Sequence, residues 1–263
     1  MGRYQAIDIE GVNPIVAMPF KANGEIDPLS FTQLLEHLAA TGVQGMTLFG
    51  IASEFPKLEE PERERLAEIF ISELAGAPLF RAISVTDHSS EVAVKRARHY
   101  QALGADALML LPPFFLQPSP QAIQQHIFAV LEAVDIPVMV QYAEFLQLAP
   151  QANVLNGYAG LYMLQMLAAG GKGVMPGCSF SEIYLRIYRH WQAGEVEQAN
   201  RLHQALLPYI QRWMSHCEYI IQIEKTVLQR RNIIATDYCR HPGWQLTAED
   251  RLMIDRFLSQ FSL

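Results

Sequence analysis

The sequence predicts an α/β fold, a (β/α)8 barrel with a helical extension at its C-terminal end. Apolar runs suited to buried parallel strands alternate with helical patterns, and successive runs begin ~30 residues apart, the length of one strand–helix step. The chain lacks the glycine-rich fingerprint of a dinucleotide-binding sheet, which favours a closed barrel over an open sheet. Since barrels of about 250 residues routinely form one domain, we expect the barrel over residues 1–192 and the extension over 193–263.

Five apolar runs at regular intervals supply the first five predicted strands. They begin near Val12, Val43, Leu79, Asp106 and Ile136. The segments between them carry helix signals, because Asp27-Pro28 forms a cap and first-turn pair, Gly42 ends the first helix, and Ser119-Pro120 opens the fourth. This regular alternation predicts helices packed outside a parallel sheet.

The regular spacing ends after Ile136. Only two more strand candidates follow, at residues 152–160 and 172–177, and each begins ~18 residues after its predecessor where ~30 is typical. Beyond residue 177 the pattern is helical to the end of the chain. Seven predicted strands are therefore visible where closure of the barrel needs eight, so about one strand–helix unit is absent from this sequence.

Composition excludes several classes of partner. The net charge is −7 and the basic residues are scattered, so no basic stripe predicts nucleic-acid binding. The longest apolar run, at residues 107–116, is about half the ~20 residues that a membrane helix needs, and no signal sequence opens the chain. Three cysteines in no CxxC pattern indicate reduced thiols and a cytoplasmic location. The eight histidines form no HxH or HxxxH ligand pair, so we expect no metal and no cofactor.

Five ordered segments resemble landmarks of the dihydrodipicolinate synthase and N-acetylneuraminate lyase family. They read GVNPIVAMPFKANGEID, GVQGMTLFGIASEFPKLEEPERERL, GADALMLLPPFF, IPVMVQYA and GLYMLQMLAAGGKGVMPG. The resemblance implies a (β/α)8 barrel that assembles as a homo-oligomer, a dimer or a tetramer. It also implies a lysine on the sixth strand that forms a Schiff base with a 2-oxo acid such as pyruvate, so that the iminium acts as an electron sink for aldol or dehydration chemistry.

The lysine that this chemistry requires does not stand where the resemblance places it. The chain has five lysines, and none falls on a sixth strand, which belongs between Gln141 and Leu155. Either the protein has lost one strand–helix unit, or these 263 residues omit a segment that the intact protein carries. We favour omission, because a barrel that lost an internal unit would leave unpaired strand edges and unsatisfied backbone groups.

The loop after the second strand is the predicted substrate-carboxylate site. Where the family shows Gly-Thr-Thr-Gly-Glu, this chain has Gly50, Ile51, Ala52, Ser53 and Glu54. Both threonine hydroxyls are therefore missing, and carboxylate binding would rest on the backbone N–H groups of Ala52 and Ser53. The alternative is a plain loop with a helix-capping serine.

The remaining predicted site residues follow later strands. Phe115 takes the place of a family tyrosine after strand four, and together with Phe114 it predicts an apolar wall or subunit contact. Gln141 stands at the catalytic tyrosine position, with Tyr142 one residue later on the opposite strand face unless the strand bulges. After the next visible strand, Gly157 would admit substrate close to the backbone.

These substitutions predict a divergent member of the family. Ile51, Phe115 and Gln141 replace all three hydroxyls of the synthase proton relay, so we do not expect true dihydrodipicolinate synthase activity. The predicted function is a Schiff-base aldolase or dehydratase acting on pyruvate or a 2-keto-3-deoxy sugar acid. The alternative is a non-catalytic barrel that has lost its lysine and serves as a ligand-binding or structural protein.

Overall fold

The computed structural model describes residues 9–113, 115–140 and 154–263. Within them seven short strands pair in parallel. The strands are β1 (Gly11–Val12), β2 (Gly45–Leu48), β3 (Phe80–Ser84), β4 (Ala107–Leu110), β5 (Val138–Val140), β6 (Leu155–Asn156) and β7 (Gly173–Val174). Each predicted strand start lies within a few residues of one of these strands, so the predicted succession of elements is confirmed.

The strands form one curved surface in two hydrogen-bonded parts. One part has the order β2-β3-β4-β5 and the other the order β1-β7-β6. Ile15 joins the two parts, since it bridges Thr47 of β2 on one side and Gly177 beyond β7 on the other. In the described residues β5 and β6 are therefore the two ends of this surface, and residues 141–153 connect them along the chain.

Nine helices in the described part surround and extend this surface. They are α1 (Pro28–Thr41), α2 (Glu60–Glu73), α3 (Ser90–Leu103), α4 (Pro120–Leu131), α5 (Met163–Ala168), α6 (Ser181–Gln192), α7 (Val196–Trp213), α8 (Cys217–Arg230) and α9 (Ala248–Phe261). The predicted caps are present, because the side chains of Asp27 and Ser119 accept from backbone N–H groups in the first turns of α1 and α4. The predicted boundary at residues 192 and 193 falls where α6 ends, and the division into barrel and extension stays a prediction.

A small apolar cluster marks the inner face of the strands. It consists of residues contributed by β3 and β4 together with the chain before β1: Ile9, Phe80, Ala82 and Ala107. Met139 of β5 and Leu155 of β6 pack against it. The alternate residues of the same strands, such as Ile83 and Leu108, join the larger core beneath the helices. The described strands thus enclose an interior, as the barrel prediction requires.

The described helices do not include a membrane-spanning candidate. None of the nine combines the length and the apolar character needed to cross a bilayer.

Candidate active site at the barrel mouth

The loop that follows β2 is a short, tightly folded turn at the C-terminal end of the strands. Residues Ile51–Ser53 form a 3₁₀ turn, and Glu54 closes it in the left-handed conformation at φ 49°. The buried Ser53 hydroxyl donates to Val16 O at 2.5 Å, so Ser53 ties this loop to the segment that follows β1 and does not cap a helix as the alternative prediction supposed. Its N–H donates to Gly50 O at 3.0 Å. Any backbone donor for an anion at this turn must therefore come from Ile51 or Ala52.

A buried ion pair fixes the same loop to helix α8. Lys225 and Glu54 are both fully buried, and the ammonium group of Lys225 contacts Oε1 of Glu54. The ammonium also donates to Tyr238 O at 2.8 Å and lies 4.2 Å from the centre of the Phe20 ring. Burial lowers the pKa of Lys225, and the adjacent carboxylate opposes that effect. Lys225 is thus a structural cation beneath the mouth, with its amine fully engaged.

A second lysine extends this charge network toward the surface. Lys57 contacts the other oxygen of Glu54 at 3.2 Å and Glu218 of α8 at 2.6 Å. It also donates to Arg240 O at 2.9 Å, while the Arg240 N–H donates to Glu54 at 3.1 Å. Glu54 therefore has two ammonium groups and one backbone donor around it, which satisfies a carboxylate that has no contact with solvent.

The loops after β3 and β4 contact one another at the mouth. His88 Nε2 accepts a hydrogen bond from the Phe115 N–H at 3.2 Å, and the two rings meet edge to face at 6.4 Å. The Phe115 side chain is 78% exposed, which fits the predicted wall or contact surface. On the inner side, the hydroxyls of Ser84 and Thr86 lie 2.9 Å apart, and Thr86 accepts from the Leu111 N–H at 3.0 Å. Hydroxyl groups are thus present in the interior even though the β2 loop has lost its threonines.

The loop after β6 is held in an unusual backbone conformation. Three successive residues, Tyr158, Ala159 and Gly160, have positive φ angles of 55°, 49° and 72°. Two buried side chains anchor their carbonyl groups, because Tyr184 donates to Ala159 O at 2.6 Å and His203 lies 2.9 Å from Gly160 O. Such strain persists only where the surroundings over-determine it, and it concentrates at functional sites. The predicted site residue Gly157 comes directly before this turn.

Glu224 is a buried carboxyl group that lies beside the chain following β7, and only one of its two oxygens accepts a hydrogen bond from the described residues. It precedes Lys225 on α8 and is 1% exposed. Its Oε2 accepts the Ser179 N–H at 2.8 Å, while its Oε1 has no hydrogen-bond partner among the described residues. Burial raises the pKa of Glu224 to about 7, and the Ser179 N–H opposes that shift. A carboxyl group in this condition exchanges its proton near neutral pH.

Other predicted site residues lie outside the described residues or away from the mouth. Gln141, Tyr142 and Phe114 belong to the part that the structure does not describe. The five lysines all fall within the described part, and none lies at the C-terminal end of a strand that lines the barrel interior. Lys172 immediately precedes β7, at the end opposite the mouth, as predicted. Among the described residues, no group of three or more histidine, cysteine or acidic side chains could hold a metal ion.

A surface cleft opens at the N-terminal end of the strands. Its lining includes Glu10, Gln44 and the ion pair between Arg81 and Asp106, whose atoms lie 2.8 Å apart. The N-terminal ends of barrel strands carry stabilising contacts, whereas the loops after the strands carry chemistry. We therefore place the candidate site at the C-terminal mouth, where all of the loops described above converge.

Family comparison fits this arrangement. The model of the dihydrodipicolinate synthetase family matches residues 8–147 and 141–261. This chain belongs to that family. The two matches meet at residues 141–147, where the spacing of the predicted strands shortens.

Individual relatives show how this family member differs from the others. The 4-hydroxy-tetrahydrodipicolinate synthase of Bartonella quintana is 28% identical over 132 residues, which cover 50% of this chain and 45% of that protein. The chain thus spans about half the length of the first curated relatives it matches. The probable 2-dehydro-3-deoxy-D-pentonate aldolase YjhH of Escherichia coli is 23% identical over 240 positions that cover 75% of this chain and 79% of that protein. About forty of those positions have no counterpart in this chain, which is close to one strand–helix unit.

A solved structure confirms the fold. YagE, a prophage protein of the dihydrodipicolinic acid synthase family from Escherichia coli K12, solved in complex with pyruvate, superposes with a TM-score of 0.86 at 19% identity. The superposition covers 97% of this chain and 99% of that one. The predicted α/β barrel class is therefore confirmed.

Local sequence patterns did not reveal the buried contacts of the three charged residues that organise the mouth. Glu54, Glu224 and Lys225 are all buried, and their partners are remote in sequence. One signal could have found the last two, because they interrupt the apolar helical run IIQIEKTVL, where charged side chains on a buried face require specific partners.

Proposed function

We propose that the intact protein is a lyase that forms a Schiff base with a 2-oxo acid, either pyruvate or a 2-keto-3-deoxy sugar acid, and acts as an aldolase or dehydratase. The single observation that carries this proposal is the family match on both sides of residues 141–147, with a strand–helix unit lacking between them. A lysine on that unit would condense with the keto carbon and lose water, and the resulting iminium would accept the electrons of a breaking carbon–carbon or carbon–oxygen bond.

Several features support a substrate other than that of the synthases. Ile51 and Phe115 provide no hydroxyl for a proton relay, so dihydrodipicolinate synthase activity is not proposed. The relationship to YjhH, whose name specifies a 2-dehydro-3-deoxy sugar acid, supports the sugar-acid class. The exposed Phe115 and the neighbouring Leu116, 68% exposed, support a homo-oligomer, a dimer or tetramer, that covers part of this rim.

One specific observation favours a second function. None of the five lysines lies at the mouth end of an inner strand, and the ammonium group of Lys225 is held by Glu54. If the 263 residues are the whole protein, the barrel binds a ligand or serves a structural role without Schiff-base chemistry.

Intact mass and adduct mapping distinguish the two functions. The natural protein is purified and its mass is compared with the 29.7 kDa of this sequence, before and after borohydride reduction in the presence of pyruvate. A heavier chain that gains a reduced pyruvate adduct, mapped by proteolysis to a lysine outside this sequence, supports the lyase. A mass equal to that of the 263 residues, with no adduct, rejects it in favour of the non-catalytic barrel.

A further inference from the structure

Two independent paths along the strand pairing place Gly177 on the inner face of the barrel. Leu155, which packs against the interior cluster, is paired with Gly173, and strand alternation puts Gly177 on the same face four residues later. From the other direction, the interior residue Ala82 is paired with Thr47. Ile15 forms a bridge with Thr47 on one side and with Gly177 on the other. Both paths agree that a side chain at position 177 would point inward at the mouth.

The carboxyl group of Glu224 occupies the space that such a side chain would fill. A Cβ atom at Gly177 would lie 2.2 Å from both Cδ and Oε1 of Glu224. The absence of a side chain at Gly177 thus gives the glutamate, which comes from helix α8, access to the inner face of β7. Its Oε1 is a buried polar atom that accepts no hydrogen bond from any described residue.

The carboxyl group lies beside the loop that has lost its donors. Ile15 separates Gly177 from the β2 loop, and a Cβ atom at Gly50 would lie 2.6 Å from the Ile15 side chain. Helix α8 connects the two sides, because Lys225 reaches the β2 loop at Glu54 while Glu224 reaches the β7 end at Ser179. The hydroxyl donors missing at Ile51 and Ala52 therefore have a candidate replacement on the other side of Ile15.

We propose that Glu224, entering the mouth over Gly177, contacts the bound 2-oxo acid and donates a hydrogen bond from its protonated oxygen to the substrate carboxylate. This inference rests on the proposed function, since it names a group that would hold that substrate. A carboxylic acid donates one hydrogen bond, which a carboxylate cannot do. Facing the negative charge of the substrate would further favour the protonated form.

The groups around Glu224 are compatible with this role. Arg231 follows α8 and donates to Ser179 O and to Glu182, and no cation among the described residues forms an ion pair with Glu224, although the Arg231 charge opposes the raised pKa of that carboxyl group. Tyr184 of α6 has its hydroxyl bonded to Ala159 O, and burial raises its pKa well above the ordinary value. The buried thiol of Cys178 likewise has a raised pKa because of desolvation. Glu182 is ionised near pH 7, because the effect of burial is outweighed by hydrogen bonds from His37 and Arg231 that lower its pKa to about 2, and its charge is paired with Arg231. The Tyr184 hydroxyl and the Cys178 thiol stay neutral, so Glu224 is the group that titrates near neutral pH.

The test is calorimetric binding of pyruvate to the intact protein at several pH values. Since the complex holds a proton that the free protein releases, wild-type affinity should fall about tenfold per pH unit above pH 7, with one proton taken up on binding. Glu224→Gln keeps the shape and a donor, so its affinity should be nearly independent of pH. Glu224→Leu should bind about tenfold to a hundredfold more weakly at pH 6, the loss expected for one hydrogen bond to a charged group.

Controls separate this inference from the proposed function. Glu36→Gln, on the exposed side of α1, should leave the pH profile of binding unchanged. Wild-type binding with no proton uptake, together with an unaltered Glu224→Gln profile, would overturn the role of Glu224 and leave the function standing. A wild-type protein that binds neither pyruvate nor a 2-keto-3-deoxy sugar acid would overturn both. Since Glu224→Gln preserves volume, the conclusion does not depend on whether the leucine variant folds.

Discussion

Replacing Lys225 by methionine tests whether the buried ion pair holds the mouth together. The substitution keeps the length of the side chain and removes the charge that contacts Glu54. Removing one partner of a buried pair costs roughly 3–5 kcal/mol because the other charge is left uncompensated. Here Glu54 keeps Lys57 at 3.2 Å and the Arg240 N–H at 3.1 Å, so we expect the lower end of that range, about 3 kcal/mol.

The assay is equilibrium urea unfolding of the wild type and three variants. Lys57→Met is the matched control, because its side chain is 14% exposed and its partner Glu218 is 38% exposed, so its loss should be only about 1 kcal/mol. Glu54→Gln combined with Lys225→Met should lose less than the sum of the two single variants, since neither charge is then left alone. If Lys225→Met costs no more than Lys57→Met, the pair does not anchor the loop and the reasoning is refuted.

Three further predictions concern the buried acid, the β6 loop and the rim. Because the folded-state pKa of Glu224 is raised from 4.5 to about 7, the destabilisation caused by ionising this buried carboxyl group is absent below pH 4.5 and complete above pH 7. The free energy of unfolding of the wild type, measured in urea, should therefore drop by about 3 kcal/mol across that interval relative to Glu224→Gln. Parallel pH curves for the two proteins would contradict this. Gly160→Ala should lower the stability measured by thermal unfolding by about 3 kcal/mol, since the added Cβ would meet a tyrosine ring at 2.6 Å and φ is 72°. The control Gly194→Ala, with φ 76° and open space around the added Cβ, should lower it by only about 1 kcal/mol. Equal losses would contradict the steric argument. Phe115→Asp should lower the molecular mass measured by light scattering if the protein is an oligomer through this rim, and an unchanged mass would place the subunit contact elsewhere.

Local signals in the sequence predicted the elements of the fold. Strand runs, the Asp27 and Ser119 caps and the glycine that ends α1 act within one turn or one strand, so neighbouring residues suffice to reveal them. The conformation of the β2 loop was less accessible. Ser53 bonds to Val16 O, 37 positions away, and a serine before a helix looks the same in the sequence whether it caps that helix or ties two strands together.

The charged contacts of the mouth were beyond local reasoning. Lys225 and Glu54 come together only because α8 packs against the 3₁₀ turn after β2, a packing relation that no periodicity encodes. Gly177 likewise reads as an ordinary turn residue, and its purpose appears only once Glu224 is seen in the space beside it. The strand–helix unit that would carry the lysine is predictable as a missing length, since spacing is a local quantity, but its chemistry is not.

Glu224 and Lys225 are adjacent in sequence, yet they engage opposite sides of the mouth. A shift of α8 by one residue in one direction would bring a carboxylate toward Glu54, and a shift in the other direction would bring an ammonium group toward the Ser179 N–H; each encounter is repulsive. The order of these two charges therefore favours one rotational phase of α8 against the ends of the strands.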